Sequence, residues 1–207
     1  MRKGFTLIEL LIVIAIIAIL ALIAIPNFME AQVRSRVSRV HADMRSIATA
    51  IESYITDYNV PALGYNAYGD ITGNPKWWSY NQLTTPVAYL TSPLSDPFVD
   101  KTRAVNAQLK PRNRDPYYDY QTYYPFPFPP GGDSGGATEK LNYSLGFVWS
   151  LASAGPSRRW DTPWIGGMIS GEKAVTNIYD PTNGTVSQGF IWRTNRGVGL
   201  QGTKRHG

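Results

Sequence analysis

The sequence predicts an α+β protein: one long N-terminal helix, membrane-spanning in its first half and amphipathic in its second, packed on a small antiparallel β-sheet with long Pro- and aromatic-rich loops. Three observations carry this. An apolar run extends from Phe5 to Ile25 with a single charge inside it, Glu9. A helical period of three and four residues then continues to Tyr58. Later, Leu141 to Leu151 alternates apolar and small or polar residues with a near-strict period of two, which predicts a strand.

The apolar run comes first. Phe5 to Ile25 is 21 residues, and as an α-helix it rises ~31 Å, about the ~30 Å of a bilayer's hydrocarbon core. A carboxylate at the centre of a bilayer costs ~2.5 to 3.5 kcal/mol on insertion scales, so Glu9 needs a partner. An ordinary secretory signal does not account for the segment, because such signals have a shorter apolar region and an Ala-x-Ala-like exit. Here the alanines fall at 15, 18, 21 and 24. A plain membrane anchor leaves Glu9 and the Lys3-Gly4-Phe5-Thr6 junction without a role. The recurrence of Ala15, Ala18, Ala21 and Ala24 gives a ridge of small side chains along which helices can approach closely. Pro26 lacks an N–H for the carbonyl of Leu22, which predicts a kink or loosening there.

Lys3-Gly4-Phe5-Thr6-Leu7-Ile8-Glu9, with the apolar run up to Pro26, resembles the class III signal of type IV pilins and type II secretion pseudopilins. The resemblance implies a type IV pilin-like fold, cleavage between Gly4 and Phe5 by a prepilin peptidase, and methylation of the new amino terminus of Phe5. It divides the chain into a leader at 1–4, a transmembrane and filament-core helix at 5–26, an amphipathic continuation at 27–60 and a globular domain at 61–207. Cleavage creates an α-ammonium on Phe5. That cation can neutralise Glu9 from its own chain or a neighbour's, and the penalty of an unpaired buried charge turns the pairing into a device that sets register.

In the second half of the helix, Val33, Val37, Val40, Met44, Ile47, Ile51, Tyr54, Ile55 and Tyr58 form a core face. Arg34, Arg36, Arg39, Asp43, Arg45, Glu52 and Asp57 form a mixed polar face. A stripe for DNA or anionic lipid and a solvated or ion-paired face are both open to the arginines, the latter favoured. His41 has no second histidine nearby, which argues against a ligand role. Val60-Pro61 and Gly64 end the helix.

Residues 61–140 form a loop region. Within it, Leu83 to Leu90 followed by Asp96-Pro97-Phe98 is similar to the αβ loop of G-type pseudopilins, which implies that it caps the helix's core face; Phe98 stands where that branch has tryptophan. Tyr117 to Pro130 interleaves seven Tyr and Phe with four Pro, directly after Pro116, which favours an extended ribbon that covers a core or contacts another subunit; a sugar platform is the alternative. Gly131 to Gly136 reads as a flexible loop. The sheet falls within 141–193: after Leu141 to Leu151, weaker strands are expected at Ala174–Tyr179 and Val186–Arg193 around the turn Asp180-Pro181-Thr182-Asn183-Gly184. Residues 194–207 form a tail.

No enzyme is expected. Two histidines, His41 and His206, cannot readily share a triad, and the absence of cysteine removes disulfides and thiolate sites. Gly166 to Lys173 lacks the phosphate-loop lysine, with Glu172 in its place. A formal charge of +5 says little about partners, and nucleic acid is not expected among them. Calcium is a candidate through the resemblance of the terminal region to G-type pseudopilins, with Asp161, Asp180 and backbone carbonyls as its ligands. The sequence thus reads as a structural subunit inserted in the bacterial inner membrane and extracted into a periplasmic or extracellular helical filament. Its implied partners are copies of itself, the prepilin peptidase, an inner-membrane assembly platform and a cytoplasmic assembly ATPase. A G-like major pseudopilin is favoured, a type IV pilus subunit is the alternative, and a monomeric anchored carbohydrate-binding module is the reading from another class.

Overall fold

A computed structural model describes residues 4–64, 76–99, 116–124, 137–158, 179, 180, 182, 187 and 189–198. The expected strand at Ala174–Tyr179, the start of that at Val186–Arg193, the Pro-rich end of the aromatic ribbon, the Gly131–Gly136 loop, the Gly166–Lys173 turn and most of the tail fall outside these.

Helix α1 runs from Leu7 to Tyr58, 52 residues, or ~78 Å. It ends where Asn59 adopts the left-handed conformation (φ 57°) and returns its N–H to the carbonyl of Ile55. Asparagine tolerates that geometry, so the helix stops two residues before Pro61. Pro26 lies inside α1, which continues through it without a break in the assigned helix. The proline removes one hydrogen bond, and the long helix formers on either side hold the rest.

A 3₁₀ turn at Lys76–Tyr80 leads into the short helix α2, Asn81–Thr84. After it come β1 (Asp119–Thr122), helix α3 (Ala137–Ser144), β2 (Trp149–Ser153), β3 (Ile191–Thr194) and β4 (Gly197–Val198). The four strands form one antiparallel sheet in the order β1-β2-β3-β4. Register places Tyr120 beside Leu151 and Leu151 beside Arg193.

Alternation sorts the sheet residues between two clusters. Tyr118, Tyr120, Trp149, Leu151 and Ile191 meet Val37, Val40, Met44, Ile47, Ala48, Ala50 and Ile51 of α1 in the main core. Tyr123, Phe147, Ala152, Phe190 and Trp192 form a second cluster. Leu83, Leu90 and Phe98 also join the main core. Their loop thus covers the helix's core face, and Asp96 fixes the turn by accepting the N–H of Phe98 at 2.9 Å and that of Ala154 at 2.9 Å.

Two expectations are corrected. The period-two run does not form a strand from Leu141: residues up to Ser144 belong to α3, and only Trp149–Ser153 pairs. Leu141 and Leu145 are also one helical turn apart, and the Ala-Thr-Glu-Lys start favours helix, so the pattern fits both periods until Gly146, at φ 84°, ends the turn. The aromatic ribbon is likewise no loop throughout. Its Asp119–Thr122 segment is β1, so the sheet begins before residue 141, and Tyr118, Tyr120 and Tyr123 are buried core residues.

Candidate functional site

The N-terminal tip is organised by Thr6. Its hydroxyl oxygen accepts the N–H of Glu9 at 3.3 Å and donates to Glu9 Oε2 at 2.6 Å, while the Thr6 N–H donates to the same carboxylate at 2.9 Å. This reciprocal arrangement is a capping box, and it satisfies donors that the first turn of any helix leaves open. Sequence reading assigned Glu9 to the Phe5 amine and overlooked Thr6, although Thr-x-x-Glu ahead of an apolar run is the signature of this motif. With Phe5 still joined to Gly4, Glu9 is held by the third residue before it.

Beyond the tip, the apolar half of α1 carries nothing of its own subunit. Phe5 is 78% and Leu7 84% exposed, and the exposed large side chains continue to Phe28 and Met29. By length and composition this is a helix able to cross a membrane, with none of its apolar window buried. Ala15 and Ala18 are exposed and Ala21 half-buried. A three-residue step turns the helix by about −60° each time, so the alanines wind from one side of α1 to the other as an inclined ridge, not a single face. Gly4, Phe5 and Glu9 are thus grouped at the tip. The alanines and Pro26 are strung along the shaft, and no pocket unites them.

The other half of α1 is fixed to the globular part through its acids. Asp43 accepts from the Tyr118 hydroxyl at 2.9 Å, Glu52 from Trp149 Nε1 at 2.8 Å, and Asp57 from the Tyr89 hydroxyl. Burial, followed by the nearby carboxylates Asp96 and Asp43, raises the Tyr118 hydroxyl far above its ordinary value, so it remains a donor. Sequence reading put these acids on a polar face; the three aromatic partners, 32 to 97 residues away, could not be seen from spacing. Arg34 pairs with Glu30 and Arg39 with Asp43, each within its own helix, pairs worth about 0.3–0.5 kcal/mol each.

Of the calcium ligands named from sequence, only Asp180 is described. Asp161 lies outside the described residues, and Asp180 turns its Oδ1 to the N–H and hydroxyl of Thr182 at 2.8 and 2.6 Å. Those bonds hold its carboxyl below the usual range. Among the described residues no three His, Cys, Asp or Glu side chains gather as a metal site.

The architecture is a long helix, bare and apolar at one end and long enough there to cross a membrane, with a small antiparallel sheet packed on the other. Residues 1–25 match the family model described as "Prokaryotic N-terminal methylation motif". The chain is 54% identical over 57 residues to a type IV major fimbrial protein, FimA, of Dichelobacter nodosus, covering 28% of this chain and 36% of that one. It is 51% identical over 55 residues to the type IV major pilin protein PilA of Myxococcus xanthus, covering 27% and 25%. A fimbrial protein of Pseudomonas aeruginosa is 50% identical over 56 residues, covering 27% and 36%. The matches thus span little more than a third of these relatives at most. No solved structure matches the chain significantly. The N-terminal quarter of the chain is thus similar to that of type IV pilins and fimbrial proteins.

Proposed function

We propose that this chain is a structural subunit of a type IV filament. It is held in the bacterial inner membrane by α1, cleaved between Gly4 and Phe5, methylated on Phe5, and assembled by bundling its α1 with those of other copies. The observation that carries this is the division of α1: its second half is core, whereas its first half presents an apolar surface with no partner in the subunit. Such a surface is tolerated only in lipid or against other apolar surfaces. Glu9 passes from the Thr6 cap to the Phe5 amine once cleavage has freed it. Peptidase, assembly platform and ATPase act from outside the chain.

Among branches, we favour a pilus subunit, since the relatives that match are named as pilins and fimbrial proteins. The second reading, a G-like pseudopilin, is supported by the Leu83–Phe98 loop, whose Asp-Pro-Phe turn packs onto α1 through Leu83, Leu90 and Phe98. The anchored sugar-binding module is less favoured, because Tyr118, Tyr120 and Tyr123 of its proposed platform are buried.

The test is the mature terminus together with a Glu9→Ala substitution. Mass spectrometry of the native protein should find methylated Phe5, and the variant should insert in the membrane yet be absent from sheared filaments. An intact Met1, or filaments at the normal level from the variant, would overturn the proposal.

A further inference from the structure

We infer that the solvent face of the second half of α1 is a seam for the α1 of a second copy of this chain, displaced along the helix axis so that acids of one copy meet arginines of the other. Ser35, Ser38, Ala42, Ser46, Thr49 and Ser53 recur at steps of three and four, and all are exposed. At about 100° per residue they fall on a line roughly opposite the buried stripe of Val37, Val40, Met44, Ile47 and Ile51. Small side chains let a second helix approach closely. Several of the hydroxyls are already satisfied within α1, which lowers the cost of covering them. Ser46 donates to the carbonyl of Ala42 at 3.3 Å, Thr49 to that of Arg45 at 3.0 Å, and Thr56 to that of Glu52 at 2.8 Å.

The charges beside this line identify the occupant. Arg34, Arg39 and Arg45 flank its lower part, Glu52 and Asp57 its upper part, and no basic residue follows Arg45 in α1. All five are exposed. Arg34 and Arg39 lean on Glu30 and Asp43 of their own helix, yet their side chains keep 69% and 61% exposure. Exposed pairs of this kind are weak and open to exchange. The acids are held in place by uncharged donors, Glu52 by the Trp149 indole and Asp57 by the Tyr89 hydroxyl. The seam is therefore basic toward the membrane and acidic at its far end, which makes it complementary to a shifted copy of itself.

Orientation and offset follow from this. Two copies anchored through the same apolar half point the same way, so their helices run parallel. In register, arginine would face arginine and acid would face acid. Glu52 is 18 residues past Arg34, and Asp57 is 18 past Arg39 and 12 past Arg45. A displacement of 12 to 18 residues, ~18–27 Å along the axis, thus sets both acids level with arginines. Contacts in the apolar half are non-directional, whereas flanking charges favour one offset over others. This inference rests on the filament reading and adds to it the axial offset between neighbours.

The experiment uses the full chain in cells, where the absence of native cysteine makes engineered thiols unambiguous. Ser35→Cys/Ser53→Cys places two thiols ~27 Å apart on one helix, beyond the span of a short bismaleimide. Expected is a ladder of covalent multimers of this chain in sheared filaments, while Ser35→Cys and Ser53→Cys alone stay monomeric. Arg34→Glu/Arg45→Glu should lower sheared filament about fivefold or more, with the amount and protease resistance of membrane-held subunit unchanged. If that variant loses protease resistance, the cysteine pair, which leaves the arginines in place, decides. Dimers from either single variant, no ladder from assembled double-cysteine filaments, adducts to a different protein instead, or normal filament yield from a stable Arg34→Glu/Arg45→Glu subunit overturns the seam. Absence of filaments from the unaltered chain overturns the filament reading instead.

Discussion

Replacing Tyr118 by Phe isolates one of the bonds that fasten the globular part to α1. The ring is fully buried, and Phe refills it, so the loss is confined to the hydroxyl. That hydroxyl donates to Asp43 Oδ2 at 2.9 Å, while the Tyr118 carbonyl keeps its bond from Tyr80 at 3.0 Å. A hydrogen bond to a charged acceptor contributes about 1.5–3 kcal/mol. The Asp43 side chain retains 17% exposure and Arg39 at 3.5 Å, so water and the guanidinium recover part of the loss, and we expect about 1.5 kcal/mol. Asp43→Asn keeps an acceptor but removes its charge, and should cost about 1 kcal/mol. In the double variant the two losses should not add, leaving a coupling of at least about 0.5 kcal/mol. The assay is urea unfolding of the detergent-solubilised chain followed by near-UV circular dichroism. A Tyr118→Phe loss below about 0.3 kcal/mol, or full additivity, would refute the bond and the logic of acid-to-aromatic fastening.

Further outcomes follow from the same core. Tyr80, Tyr118 and Tyr120 are buried and all have hydroxyls raised above the ordinary value of 10. Above pH 10 the unfolded chain therefore loses protons that the folded one keeps, and stability should fall by up to about 1.4 kcal/mol per pH unit for each; ultraviolet titration should find these tyrosines ionising only as the fold is lost. His41 is lowered from 6.5, so the folded subunit resists a proton that the unfolded chain accepts. Stability should decline as pH drops through 6.5 and stay level above about 7.5, and His41→Gln should flatten that slope in thermal melts at pH 5 to 8. Gly64→Ala would drive a methyl into the backbone of Gln121 and Thr122 at β1, and should destabilise by about 1–3 kcal/mol without altering membrane insertion, as read by urea midpoint and membrane fractionation.

The sequence by itself determined the long helix, its division at the end of the apolar run and the class of its N-terminal signal, because these depend on composition and period within one continuous segment. The Thr6–Glu9 cap was equally legible, being four residues long. Tertiary structure alone decided what the middle of the chain does. The Leu141–Leu151 pattern satisfied both helix and strand over its first turn, and only Gly146 and the pairing of Trp149–Ser153 with β1 and β3 divided it. The aromatic ribbon became an edge strand because Tyr118 and Tyr120 could bury against α1. Asp43, Glu52 and Asp57 became fastenings through contacts between residues far apart in sequence. Local period constrains a backbone, but a side chain's partner is set by which surfaces the fold brings together.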